Sequence, residues 1–139
     1  MLTRASPKGL GPRWLESRVW MRMFDGVLRL FSIARARVKG PSMEPTLRDG
    51  QVIWVRMATE PISREHLERM RGRVVIVERD EMPGIYLIKR LEKVHGDLIW
   101  IEGDNKESDF GDLQHDSKKF DWLSRHTIKG FALRTFPRN

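Results

Sequence analysis

Cysteine is absent from this sequence of 139 residues, which excludes disulfide frameworks, thiolate zinc sites and cysteine nucleophiles together. Histidine is sparse as well. His66, His95, His115 and His126 are scattered, and no two stand at a spacing that a metal site uses. Neither a metal nor any other cofactor is expected. Internal repeats, low-complexity tracts and long runs of one charge sign are also missing, which argues against arrays and disordered tails. What remains is 40% apolar and 32% charged residues, enough for one compact, soluble, globular domain and too little chain for two.

The net charge of +7 would suggest a nucleic-acid partner if it were spread over the chain. It is not. Residues 1–39 hold nine basic side chains against Glu16 and Asp25, and beyond Gly40 seventeen basic residues meet seventeen acidic ones. The body therefore has no charge bias to offer DNA or RNA, and no nucleic-acid partner is expected. This asymmetry divides the chain into a basic leader with a helix, 1–37, and a body, 38–139.

Within the leader, Pro7, Gly9, Gly11 and Pro12 break regular structure. From Trp14 the spacing predicts a helix over about 14–34. Val19, Met23, Val27 and Leu30 fall on one stripe, Trp20, Phe24, Leu28 and Phe31 lie beside them, and Arg18, Arg22, Asp25 and Arg29 face the other way. Those charges interrupt the run of about 18 apolar residues that a bilayer-spanning helix needs. Such a helix suits the headgroup plane of an anionic membrane or a membrane-anchored partner. It equally suits packing on the protein's own core, and an Arg-rich leader also fits an organellar transit peptide. A peripheral membrane or cytoplasmic location follows.

The body reads as mainly β. Short β-branched runs at 51–56, 73–78, 85–91, 97–102 and 127–133 are each bounded by turn residues such as Asp49-Gly50, Pro83-Gly84 and Gly96-Asp97. One short helix is expected over 61–71, with Ser63 as its cap.

Two segments carry candidate chemistry. Val38 to Gly50 sets two prolines and two glycines around Ser42, a stiff turn in which the hydroxyl and the backbone N–H of Ser42 can face one bound group. In the strand Ile85 to Leu91, alternation puts Lys89 on the face of Ile85, Leu87 and Leu91, and Arg90 on the other face with Tyr86 and Ile88. A lysine aligned with three aliphatic side chains either snorkels to the surface or is held dry.

The order Gly-Pro-Ser-Met-Glu-Pro-Thr-Leu, Arg71-Gly72, Ile88-Lys89-Arg90, Gly103-Asp104-Asn105 and Asp116-Ser117-Lys118 resembles the type I signal peptidase family of serine/lysine proteases. That family includes the mitochondrial inner-membrane proteases and the small proteases that mature nickel superoxide dismutase. The resemblance covers about residues 38–130 and implies a single compact signal-peptidase-like catalytic β core, here preceded by an amphipathic helix. It implies Ser42 as nucleophile, Lys89 as general base, the Ser42 backbone N–H as an oxyanion donor, and a peptide or preprotein as substrate, cut after a small residue. Gly103, Asp104, Asn105, Asp116 and Lys118 would be structural parts of the motif.

The implied roles make chemical sense. A serine hydroxyl needs a base, and a lysine serves only when neutral. Bringing its pKa from near 10.4 to near 7 requires about 4 to 5 kcal/mol of bias against the cation, which desolvation on an apolar face can supply.

Departures from the family pattern are visible. Gly40 stands where some members carry a second hydroxyl, so backbone donors alone would serve the oxyanion. The loop after Asn105 is long, leaving Ser108 and Ser117 both open as the residue that orients Lys89. Lys118 replaces an arginine, weakening any fork-like pairing with Asp116, and Asp121 stands where glycine is common. Two other readings compete. A LexA-type self-cleaving regulator shares the serine/lysine pair, but its helix-turn-helix module needs roughly 60 residues, more than the leader holds. A catalytically silent module on a membrane surface is the other.

Overall fold

The computed structural model describes residues 2–3, 19–20, 32–106 and 116–138. Its strands are β1 (Leu2–Thr3), β2 (Val19–Trp20), β3 (Ile33–Arg37), β4 (Val52–Met57), β5 (Val74–Glu78), β6 (Ile85–His95), β7 (Leu98–Glu102), β8 (Leu123–Ser124) and β9 (Ile128–Ala132). They form one antiparallel sheet in the order β2-β3-β4-β9-β5-β6-β7-β8, with β1 added to β6. The mainly β body is thus as expected, and its five predicted strands coincide with β4, β5, β6, β7 and β9.

Burial explains why these runs extend. On β5, Val74 and Ile76 enter one apolar cluster with Ala36, Met43, Leu47, Val55 and Ile88, whereas Val75 and Val77 enter a second with Leu67, Leu87, Leu91, Ile99 and Ile101. A strand covered on both faces has no polar side to show, so it reads as a continuous aliphatic run instead of an alternation. β6 is the longest strand. Its first half pairs with β5, from Val74↔Arg90 to Glu78↔Tyr86, and its second half with β7, from Arg90↔Glu102 to His95↔Leu98. The changeover lies at Lys89 and Arg90.

Helix α1 (Arg64–Arg69) joins β4 to β5, and the Ser63 side chain accepts the His66 N–H, satisfying one of the donors that a helix start leaves open. Leu67, fully buried, fastens it to the second cluster. The shorter α2 (Ser117–Phe120) starts at Asp116, whose carboxylate accepts the Lys118 N–H. It ends at Asp121 with φ 68° and ψ −161°, a region that suits glycine. This is the position where the sequence departs from the family's glycine. Asp121→Gly is expected to raise stability by about 1 kcal/mol by relieving that backbone. A urea midpoint that stays put or falls would contradict it.

The amphipathic stripe expected over 14–34 lies for the most part outside the described residues. At the positions described within it, Val19–Trp20 pairs with Arg35 and Ala36, and Ile33 and Ala34 belong to β3. β3 pairs with β4 along all five of its residues, so the sheet begins ahead of the boundary expected at 37/38. Ala34 and Ala36 point inward and Arg35 and Arg37 outward, a period of two that the preceding helical spacing masked. Among the described residues no helix is long and apolar enough to cross a membrane.

Candidate active site

Ser42 occupies a turn between β3 and β4, and its neighbours hold that turn down. Met43 and Leu47 are buried in the first cluster, and Leu47 N–H donates to Met43 O at 2.9 Å. The Asp49 carboxylate accepts the Gly40 N–H at 2.8 Å, where Gly40 adopts φ 87°. That N–H is therefore engaged. The Ser42 N–H has no acceptor among the described residues.

The Gly-Asp-Asn segment grips the turn from the other side. Asn105 N–H donates to Ser42 O at 3.0 Å and its side-chain amide donates to Pro41 O at 3.0 Å. Gly103 lies so close that a Cβ there would stand 2.4 Å from Ser42 O and 3.4 Å from Ser42 Cβ. Any side chain at 103 would push the serine turn off the sheet, which is the physical reason for glycine in this motif.

Asp104 clamps a third element. Its carboxylate takes two hydrogen bonds from Arg90, at 2.8 and 2.5 Å, and one from the Thr46 hydroxyl at 2.5 Å. Burial pushes this carboxyl up, but the hydrogen bonds from Arg90 and Thr46, with the charges of Arg90 and Arg138, outweigh it and hold the group below the usual carboxylate range. Arg90 also donates to Gly72 O and Phe136 O, each at 2.7 Å. It is a structural hub on the face opposite Lys89, as the alternation of the strand predicts.

Lys89 is 4% exposed, on the face of Leu87 and Leu91. Desolvation lowers its pKa from 10.5 to about 8, against the opposing charge of Asp116, which raises it. Continuing the pairing of Arg90 with Glu102 by one residue sets Gly103 across from Lys89, with both Cβ directions on one face of the sheet. The Ser42 turn thus packs on Gly103, the residue that follows β7, whose Glu102 pairs with Arg90 next to Lys89.

The remaining expected residues fall around this point. Asp116 is buried, and its carboxylate faces Gly103 N–H at 3.5 Å. Ser117 is buried, and its Oγ accepts the Ile101 N–H at 2.9 Å, which leaves the hydroxyl proton free to be donated elsewhere. Ser108 lies outside the described residues. Lys118 places its amine 3.9 Å from Glu102, not on Asp116, so the fork-like pair expected to weaken has changed partner. Sequence reasoning missed the Arg90–Asp104–Thr46 clamp and the influence of Asp116 on Lys89. Only the lysine-arginine and glycine-aspartate-asparagine signatures hinted at the first. Among the described residues no group of three His, Asp or Glu side chains is placed to hold a metal ion.

A sequence profile described as signal peptidase, peptidase S26, matches residues 12–108. Signal peptidase I of Bacillus licheniformis is 29% identical over 91 residues, covering 66% of this chain and 46% of that protein. Mitochondrial inner membrane protease subunit 1 of Xenopus tropicalis is 24% identical over 119 residues, covering 70% of this chain and 66% of that protein. The chain thus spans about half of the length of the first and just under two thirds of the second.

Proposed function

The chain belongs to the signal peptidase family, peptidase S26, and on that premise we propose that it is a serine endopeptidase that removes signal peptides or propeptides, with Ser42 as nucleophile and Lys89 as general base. The observation that carries this reading is the desolvated Lys89 amine, with a pKa lowered to about 8, on the strand that faces the glycine packed against Ser42. A base whose pKa lies near the working pH is neutral often enough to take a proton and acidic enough to return it.

In the first half of the reaction, Lys89 accepts the Ser42 hydroxyl proton as Oγ attacks the scissile carbonyl carbon. The unengaged Ser42 N–H is available to the developing oxyanion. The tetrahedral intermediate collapses with cleavage of the C–N bond, and the protonated amine of Lys89 supplies the leaving amino group with its proton. Water, deprotonated by the same lysine, then hydrolyses the acyl-serine ester and regenerates the hydroxyl. Asp116 stabilises the lysine while it is charged, and Ser117 is the orienting candidate whose surroundings are described.

Substrate entry by strand addition is supported by β6. On the side away from β5, β1 pairs with Ile85 and Tyr86, and β7 with the Gly103 that follows it covers β6 from Lys89 onward, so residues 87–88 have no strand partner on that edge among the described residues. An extended peptide or preprotein laid there would end beside Lys89. The regulator and silent-module alternatives gain nothing from the similarities, since both relatives are named as peptidases.

Mass spectrometry of products from a membrane-protein and propeptide library tests the proposal. Wild-type chain is expected to yield cleavage products that Ser42→Ala does not. Identical product lists would remove the enzymatic reading.

A further inference from the structure

An open cleft of about 410 Å³ lies against the serine turn, lined by Glu44, Pro45, Asp104, Asn105 and Lys106. Two of these residues tie it to the site. Glu44 is two positions beyond Ser42 and donates its backbone N–H to Pro41 O at 3.0 Å, and Asn105 holds both Ser42 O and Pro41 O. The cleft therefore adjoins the turn that carries Ser42.

The charged side chains of the cleft differ in their partners. Asp104 is neutralised by Arg90, with which it shares a buried, two-pronged ion pair. The Lys106 amine lies 2.5 Å from Glu102, a carboxylate that it shares with the Lys118 amine at 3.9 Å. Glu44 is half-buried and has no cationic partner among the described residues. One carboxylate with no direct ion-pair partner among the described residues thus lines a cavity large enough for an extended side chain. The other four lining residues are Asp104, held by Arg90 and Thr46, Asn105, held on the serine turn, a proline, and a lysine that shares Glu102 with Lys118.

Resting on the peptidase reading, we propose that this cleft is a substrate subsite and that Glu44 selects a cationic side chain, Arg or Lys, close to the scissile bond. A long, flexible cation fits both features, since its methylene stem can lie against Pro45 while the charged head reaches the Glu44 carboxylate. An acidic side chain that reached Glu44 would meet a like charge there.

The test separates this proposal from the peptidase reading by measuring binding without cleavage. Immobilised Ser42→Ala chain is used to capture extended peptides from a fully randomised library, and the captured peptides are sequenced. The same capture is run with Glu44→Gln and with Glu44→Lys, each in the Ser42→Ala background. Arg and Lys are expected to be enriched about fivefold at one fixed position, the discrimination that a single partly exposed ion pair provides. That enrichment should vanish with Glu44→Gln and turn into a preference for Asp and Glu with Glu44→Lys. Basic enrichment that persists in Glu44→Gln overturns the proposal, as does capture without basic bias or none above the empty support. The captured peptides are then offered to the wild-type chain. Peptides that bind in a Glu44-dependent way and are not cut would leave the subsite standing and remove the peptidase reading.

Discussion

Lys89→Met is expected to lower kcat/KM by at least about a thousandfold and yet leave the protein as stable as before, or more so, near neutral pH. The size of the kinetic loss follows from removing both the base for acylation and the acid for the leaving group, each worth about 10²- to 10⁴-fold. The stability follows from the environment. Lys89 is 4% exposed among Leu87 and Leu91, and an apolar side chain of similar length fills that space without a charge to desolvate. The difference between an ordinary 10.5 and about 8 corresponds to about 3 kcal/mol held against the folded state whenever the amine is protonated in both states.

The sign of the pH dependence is fixed by that lowering. Below about pH 8 folded and unfolded chains both carry the Lys89 proton, and the full cost is present. Between about 8 and 10.5 the unfolded chain holds the proton and the folded chain does not, so stability rises with pH across this window. The wild-type rate should rise over the approach to pH 8, where the base becomes neutral, and level off above it. Urea unfolding at pH 6, 7.5 and 9, beside a pH profile of peptide cleavage, checks both halves. Retained activity in Lys89→Met would sink the role of this lysine. A marked loss of stability in the variant would show that the amine is not held at the expense of the fold.

Asp104→Ala should be the most damaging single change for stability among the motif residues, at about 3 to 5 kcal/mol, because it strands the Arg90 guanidinium in the interior. Both members of the pair are buried, with side-chain exposures of 4% and 1%. The same change releases the Thr46 hydroxyl and with it one tether of the Ser42 turn, so residual activity should fall as well. Replacing both partners, Arg90→Met with Asp104→Leu, is expected to recover most of the stability, since no buried charge is then left unpaired. The contribution of Asp104 also has a direction in pH. Its carboxyl is depressed, so what it contributes is present above the usual carboxylate range and lost as pH falls through the lower, folded value. Acid unfolding of the double variant should begin at lower pH than that of the wild type. A single variant as stable as wild type in urea would contradict the clamp.

The strands and the helix cap were legible because their signals are local. Val74 to Val77 is β-branched, Ser63 stands three residues before the N–H that it caps, and Lys89 and Arg90 part to opposite faces because successive strand residues must. β3 was harder. Its two alanines and two arginines alternate over only five residues, beside a longer stretch whose apolar residues recur at three and four. The longer, stronger period masks the shorter one.

The sequence by itself determined which atoms are available: one serine in a proline-stiffened turn, one lysine on an aliphatic strand face, and a glycine, an aspartate and an asparagine in fixed order. Tertiary structure alone decided what those atoms experience. Thr46 and Asp104 are 58 positions apart in the chain and meet at 2.5 Å. Gly103 needs the absence of a Cβ only because a turn some sixty residues earlier is folded onto it. The Lys89 amine is shifted by water excluded when β5, β6 and β7 close over the second apolar cluster. Periodicity is a property of neighbours along the chain, whereas desolvation and close approach are properties of neighbours in space.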